Sequence, residues 1–340
     1  MECIKPIGEV LGLEDCLACS GCVSVAEPDK EKHERGLQRL LEGGVGLVIT
    51  PQAKISLFQR VGSFSGFRDF EQALLWVFRK SCVVDSSAGT RALLGQERAS
   101  LSRPVISSLC PGVVAYAEGS AHHLLPYLSK NRSPVEICAK YLKDKGYTTV
   151  ISIVMCADKR MESEWDSLVD HALTTTNVFD FFKDKIVPVP NYLPPEHSTS
   201  QTLAGSSAGG LYEGLVEGLA RGGEGEGGAI VSQIDRENYK EVAFLENGRI
   251  RRIAQVHGLP RVVAFSTKAK SRSFLEEYVY VEMMVCKKAC LFGPSQGKMT
   301  LREEQAYLQL QGPSPGISAD LPLRAFTAKT KTKHSFSVQW

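Results

Sequence analysis

The sequence predicts an α/β protein of two lobes, led by a short cysteine-rich segment. Three observations carry this reading. The chain has 340 residues, enough for two lobes at roughly 150 residues each. Tyr147 to Met155 is β-branched and mostly apolar, the pattern of a strand buried on both faces of a parallel sheet. A helix signal comes directly before it: Ser133 as N-cap, Pro134 at the first helical position, Glu136 reaching back, and Gly146 as a left-handed stop.

Other elements follow in order. The charged run Asp29 to Arg35 reads as a solvated connector or helix face. Gly43-Gly44 opens a strand candidate over Val45 to Pro51. Arg68 to Arg79 is apolar nearly all round and predicts a buried helix. Cys82-Val83-Val84 reads as a short strand, and Asp85 to Gly89 as the turn after it. Pro104 to Ser107 is another strand candidate, closed by the turn signal Leu109-Cys110-Pro111-Gly112. Tyr278 to Val285 is a further β-rich run. Pro188, Pro190, Pro194 and Pro195 mark a loop and a lobe boundary. Gly205 to Gly210 is a turn opening a helix from Leu211. The glycine-rich stretch Arg221 to Gly228 lacks the lysine and hydroxyl residue of a phosphate-binding loop and reads as a flexible connection.

Composition excludes several classes. The chain carries 40 Lys+Arg against 38 Asp+Glu, a formal net charge of +2, which argues against a protein built to coat nucleic acid. A hydrophobic share of 43% excludes global disorder. No run of about 18 apolar residues is present, so no membrane-spanning helix is expected, and the first residues lack a secretory pattern. A reducing compartment follows, where clustered cysteines point to metal more often than to disulfides.

The ten cysteines fall into groups. Cys16, Cys19 and Cys22 form C-x2-C-x2-C, whose tight turns bring three thiolates around one face of a cubane cluster while backbone N–H groups offset their charge. Cys3 is the nearest candidate for a fourth ligand. Four thiolates also suit tetrahedral zinc, although structural zinc usually uses two separated pairs. Cys110, Cys156 and Cys286 each follow a β-rich run, 46 and 130 residues apart, and strand carboxyl ends form the ligand crevice of an open α/β sheet. Cys290 can supply a fourth thiol there. The competing reading is four structural core cysteines. Cys82 and Cys138 read as small apolar packing residues. Lys159, Arg160, Lys287 and Lys288 stand beside the dispersed cysteines and would stabilise thiolates.

The ordered set Cys3-Ile4-Lys5-Pro6, C-x2-C-x2-C, Ser108-Leu109-Cys110-Pro111-Gly112, Met155-Cys156-Ala157-Asp158-Lys159, Leu173-Thr174-Thr175 and Cys286-x3-Cys290 resembles the iron-only hydrogenase-like proteins of the eukaryotic cytosol. These include the nuclear prelamin A recognition factor-like proteins of iron–sulfur protein assembly. The resemblance runs from about Cys3 to Gln296. It implies two α/β lobes like the iron-only hydrogenase catalytic domain and two [4Fe–4S] clusters. Cys3, Cys16, Cys19 and Cys22 would ligate one; Cys110, Cys156, Cys286 and Cys290 would ligate the other, between the lobes. It further implies a cytoplasmic, and additionally nuclear, factor that relays clusters from scaffold ATPases to a targeting complex with a WD-repeat subunit. Trp340, with Val338, resembles the C-terminal aromatic signal that docks on that complex.

The same resemblance reaches true iron-only hydrogenases, so a redox enzyme or electron carrier is the alternative. In those enzymes a proton-transferring cysteine precedes the one matched by Cys110. Leu109 stands in that place and cannot carry a proton. Lys287-Lys288-Ala289 also replaces a glycine-rich turn, leaving less room for a diiron cofactor. No hydrogenase activity is therefore expected, although Lys159 and Glu162 match hydrogenase positions. The expected organisation is a ferredoxin-like cluster segment over 1–35, lobes over 36–195 and 196–300, and an extension over 301–340.

Overall fold

A computed structural model describes residues 30–101, 103–164, 167–189, 192–195, 198–200, 207–220, 229–310, 317 and 321–328. The ligand candidates Cys3, Cys16, Cys19 and Cys22 and the terminal Trp340 lie outside these residues. Two sheets organise the chain. The first contains β1 (Gly46–Ile49), β2 (Cys82–Asp85), β4 (Val150–Val154) and β5 (His171–Thr174); the second contains β3 (Val105–Ile106), β6 (Ala229–Arg236), β7 (Tyr239–Glu246), β8 (Arg249–His257) and β9 (Tyr278–Met284).

The first sheet runs β2-β1-β4-β5 and is parallel throughout, with Leu47 opposite both Val83 and Ile151. Its central strands are buried along their whole length, as the run Tyr147 to Met155 predicts. Side chains of a strand alternate between faces. Leu47, Ile49, Ile151 and Ile153 therefore enter one apolar cluster, while Val48, Val150 and Val154 enter another. That second cluster also takes Val242, Phe244, Ile253 and Tyr280 from the other sheet, so one apolar layer is shared by both sheets.

The second sheet runs β3-β9-β8-β7-β6 and is mixed. β3, β9 and β8 are parallel neighbours, and β7 and β6 continue antiparallel through tight hairpins. β3 lies early in the chain yet pairs with β9, Val105 opposite Tyr280. Leu128 bridges to Ile106, so the stretch leading out of β3 stays with the second sheet.

Local signals act as expected at the helix Pro134–Asp144. Ser133 and Glu136 form a full capping box, and Gly146 adopts φ +93°. The stretch Asp85 to Gly89 departs from the expected turn. Only Ser86 separates β2 from a helix, Ser87–Ala99. Gly89 sits inside that helix because a Cβ there would meet the Pro134 carbonyl oxygen at 2.3 Å. The helix Phe67–Val77 buries Phe70, Ala73, Leu74 and Leu75, but Trp76 is 39% exposed. Its ring is covered instead by the Arg79 guanidinium at 4.1 Å and by Tyr192 at 5.3 Å between centroids. No helix among the described residues is long and apolar enough to cross a membrane.

Two groups of buried ionisable side chains lie at the sheets, one at each. Lys54, fully buried, pairs with Asp85 at 2.7 Å and Glu71 at 3.0 Å and donates to the Ser198 carbonyl at 2.5 Å. Ser200 returns hydrogen bonds to Glu71 and Asp85. Burial opposes the charge on Glu71, but Lys54 and the Ser200 N–H hold its carboxyl below the ordinary value. At the second sheet, Glu213 lies near Glu282 of β9, with Lys240 at 3.8 Å. Burial first, and the Glu282 charge second, push the Glu213 carboxyl up to about 8.

Replacing Lys54 leaves two buried carboxylates facing each other. Lys54→Met is expected to lower unfolding stability by about 3–5 kcal/mol in urea titrations, and Glu71→Gln combined with it to cost less than the sum of the two. For Glu213 the folded state holds a proton that the unfolded chain releases from about its ordinary 4.5 upward. Stability is therefore lost as pH rises from there through about 8. Glu213→Gln should flatten that slope, so that the variant gains on the wild type at pH 9 relative to pH 5 in the same titrations.

Candidate metal centre

Three strand ends and one loop bring four cysteines to a single place. Cys156 lies just past β4 of the first sheet, Cys286 just past β9 of the second, and Cys110 after the turn that follows β3. Cys290 opens a short helical turn, Cys290–Phe292. All four line one cavity of about 620 Å³, at the carboxyl ends of strands from both sheets. Cys110 is buried; the other three are partly exposed.

Each thiol sits within electrostatic reach of the others. Burial raises the Cys290 thiol far above its ordinary value, and Cys110, Cys286 and Cys156 add to the rise. Cys286 is raised by burial and then by Cys110 and Cys156. Burial, then the Asp158 carboxylate, push Cys156 up to about 12. Cys110 is raised by burial, partly offset by the backbone N–H groups of Val285, Val113 and Gly112. Metal binding by thiols displaces their protons.

Several neighbouring groups oppose that rise. Cys110 is the N-cap of the helix Pro111–Gly119, and Cys156 immediately precedes the helix Ala157–Glu164, so each sulfur meets the positive end of a helix. The Lys159 N–H points at the Cys156 sulfur at 3.4 Å. Gly112 is required by packing: a Cβ there would lie 2.9 Å from the Val285 side chain, beside Cys286. The Lys159 ammonium donates to the Leu109 carbonyl at 2.9 Å and pairs with Glu162, joining the Cys156 helix to the Cys110 turn. Glu162 is held ionised against its burial by Arg324 and Lys159.

The loop between Cys286 and Cys290 is strained. Lys288 and Ala289 both take left-handed φ values, +54° and +64°. The turn persists because Asn238 accepts from the Lys288 N–H at 2.7 Å and Ser207 donates to the Lys288 carbonyl at 2.5 Å. Of the expected cations, Lys159, Lys287 and Lys288 line the cavity, the Lys288 ammonium lying over the Phe292 ring at 5.3 Å, whereas Arg160 is engaged by His33 at 3.0 Å.

Cys138 is fully buried in the shared apolar layer, its thiol 3.8 Å from the Asp85 carbonyl oxygen, and Cys82 starts β2; neither lines the cavity. Arg324, Asn238 and Ser207 carry no signal in the sequence beyond the basic character of the tail and the glycine-rich turn. Their roles depend on contacts that cross the fold.

The donor set suits a cluster better than a single ion. Among the described residues, no three His, Cys, Asp or Glu side chains are grouped to hold one metal ion. Tetrahedral zinc requires all ligands within about 2.3 Å of one centre. Four thiols spread around a cavity wall, with helix N-termini and a lysine facing them, match the larger volume and negative charge of an iron–sulfur cluster.

Known proteins resemble this chain over most of its length. The chain is 29% identical over 320 residues to "Cytosolic Fe-S cluster assembly factor NAR1" of Encephalitozoon cuniculi, covering 88% of this chain and 84% of that one. It is 28% identical to "Cytosolic iron-sulfur assembly component 3" of Rattus norvegicus, covering 88% and 74%. Among solved structures it resembles [FeFe]-hydrogenase HydA1 of Chlamydomonas reinhardtii, with a TM-score of 0.63 at 18% identity over 82% of this chain and 88% of that one, a likeness of fold. Residues 77–294, more than half the chain, match the family described as iron only hydrogenase large subunit, C-terminal domain, and the chain belongs to that family.

Proposed function

We propose that this protein is a non-enzymatic factor of cytosolic iron–sulfur protein assembly that holds two [4Fe–4S] clusters. The observation that carries the reading is the single cavity lined by Cys110, Cys156, Cys286 and Cys290, in a chain whose curated relatives are named as assembly factors. These four would hold one cluster, and Cys3, Cys16, Cys19 and Cys22 the other. When bound, a cluster supplies iron and sulfide in an assembled form. The chain's own residues ligate it, lower the cost of four thiolates through two helix N-termini and Lys159, and enclose it between the sheets. The protein would relay cluster from scaffold ATPases to the targeting complex that loads apo-proteins, docking on its WD-repeat subunit through Val338 and Trp340.

Leu109 supports a role without hydrogen chemistry. It lines the cavity beside Cys110, and its side chain has no proton to give or take. Lys287, Lys288 and Ala289 fill the turn that glycines occupy in the hydrogenases the sequence resembles.

Anaerobic reconstitution is expected to give about eight irons per chain. Cys156→Ala and Cys286→Ala should each fall to about four, whereas Cys138→Ala should stay at the wild-type level. Zinc in place of iron, or four irons or fewer in the wild type, would refute the two-cluster reading, and hydrogen evolution above background would refute the non-enzymatic one. Deleting residues 338–340 should weaken binding to the WD-repeat subunit at least about tenfold, as loss of an aromatic hot spot does, with iron content unchanged. Calorimetry on the two loaded proteins decides this, and equal affinity would remove Trp340 from the interface.

A further inference from the structure

Of residues 321–328, Arg324 alone is buried, at 8% exposure, while Leu323 is 64% exposed. The segment crosses the surface and inserts one guanidinium. Its backbone is tied at Arg324 N–H to the Lys130 carbonyl at 2.8 Å, and Arg132 donates to the Pro322 carbonyl at 2.7 Å. Inside, the Arg324 guanidinium pairs with Glu136 and, at 2.5 Å, with Glu162. It also donates to the Ser108 carbonyl at 3.4 Å.

These contacts converge on the turn into Cys110. Arg324 holds the Ser108 carbonyl directly. Through Glu162 it holds Lys159, whose ammonium donates to the Leu109 carbonyl. Two successive carbonyls ahead of one cavity cysteine are thus fixed by a residue that arrives from the far end of the chain. Glu136 has a second cation in Arg132 at 3.1 Å, and Glu162 pairs with Lys159. The group counts Arg132, Lys159 and Arg324 against Glu136 and Glu162, an excess of one positive charge, and of its members Lys159 lines the cavity, where the Asp158 carboxylate also lies. Withdrawing Arg324 removes that excess and leaves Lys159 as the counter-charge of a buried carboxylate.

We propose that Arg324 is a positioning residue of the four-thiol cavity, and that the segment 321–328 is a strap whose seating sets how firmly the cavity holds its cluster. The strap is fastened by one buried ion-pair group, a few hydrogen bonds and the partly buried Leu321 and Phe326, which pack on the margins of two apolar clusters without entering them, so it can lift without opening either core. Lifting it frees the Cys110 turn and leaves Glu162 to Lys159 alone in the same step. This inference rests on the cavity holding a cluster, as proposed above.

The experiment uses the full chain, with Arg324→Gln and Arg324→Lys. In the loaded proteins, iron loss to a ferrous chelator is followed, and the fraction missing from Cys156→Ala identifies iron of this cavity. Arg324→Gln should speed loss of that fraction about tenfold or more, in keeping with a broken buried pair, and leave the remaining iron at the wild-type rate. Arg324→Lys should restore much of the difference. In the cluster-free proteins, amide exchange at residues 108–112 should quicken in Arg324→Gln while exchange in β1 and β4 stays unchanged. Wild-type release and wild-type exchange in Arg324→Gln would overturn the proposal. So would equal acceleration of both iron fractions, or of the same fraction in Lys54→Met, because either marks a general loss of stability. If the wild type takes up no Cys156-dependent iron, the cluster reading fails, and the exchange measurement still decides whether Arg324 positions the Cys110 turn.

Discussion

Four sulfurs drawn together in a protein interior repel one another as soon as they ionise, and the architecture around the cavity is governed by that repulsion. Burial raises all four thiols, neighbouring thiols add to the rise at Cys156, Cys286 and Cys290, and the Asp158 carboxylate adds to it at Cys110, Cys156 and Cys286. Ligation of a cluster by these four would therefore depend on positive potential supplied by the surroundings. Two helix N-termini meet Cys110 and Cys156, Lys159 stands between them, and the pairs beyond Lys159 hold that lysine in place. Gly112 lets the Cys110 helix approach Val285, which closes the distance between the second sheet's strand ends. The cavity is thus the meeting point of two sheets, and its chemistry needs both.

The polar groups buried elsewhere follow the same logic at lower stakes. Lys54 binds Asp85 of β2, Glu71 of a neighbouring helix and the Ser198 carbonyl from beyond the proline-rich loop. One ammonium thereby joins three pieces of chain distant in sequence. Such a group adds little net stability compared with apolar packing, but removing one member leaves charges with no compensation. Glu213 shows the opposite solution: with Glu282 close by, its carboxyl keeps its proton near neutral pH.

Legibility in the sequence followed the range of the interaction. The capping box at Ser133, the stop at Gly146 and the doubly buried strand around Ile151 are written in neighbouring residues, and each formed where those residues place it. The departures arose where packing overrode a local signal. Gly89 resembles a turn residue but serves a close helix contact with Pro134, and Trp76 looks like core but is covered by Arg79 and Tyr192 at the surface. The placement of β3 against β9 could not be read, because a two-residue strand carries too little pattern to name its partner.

The sequence by itself determined the α/β class, the family resemblance and the separation of Cys110, Cys156, Cys286 and Cys290 from Cys82 and Cys138. Those conclusions rest on residue type and spacing, which a linear chain carries in full. The tertiary structure alone decided that the four dispersed cysteines share one cavity, that Asn238 and Ser207 hold a left-handed turn between two of them, and that Arg324 reaches back to the turn before Cys110. Each of these joins residues far apart along the chain. Charge and hydrogen bonding act over a few ångströms of space, and only the packed sheets bring such partners within that range.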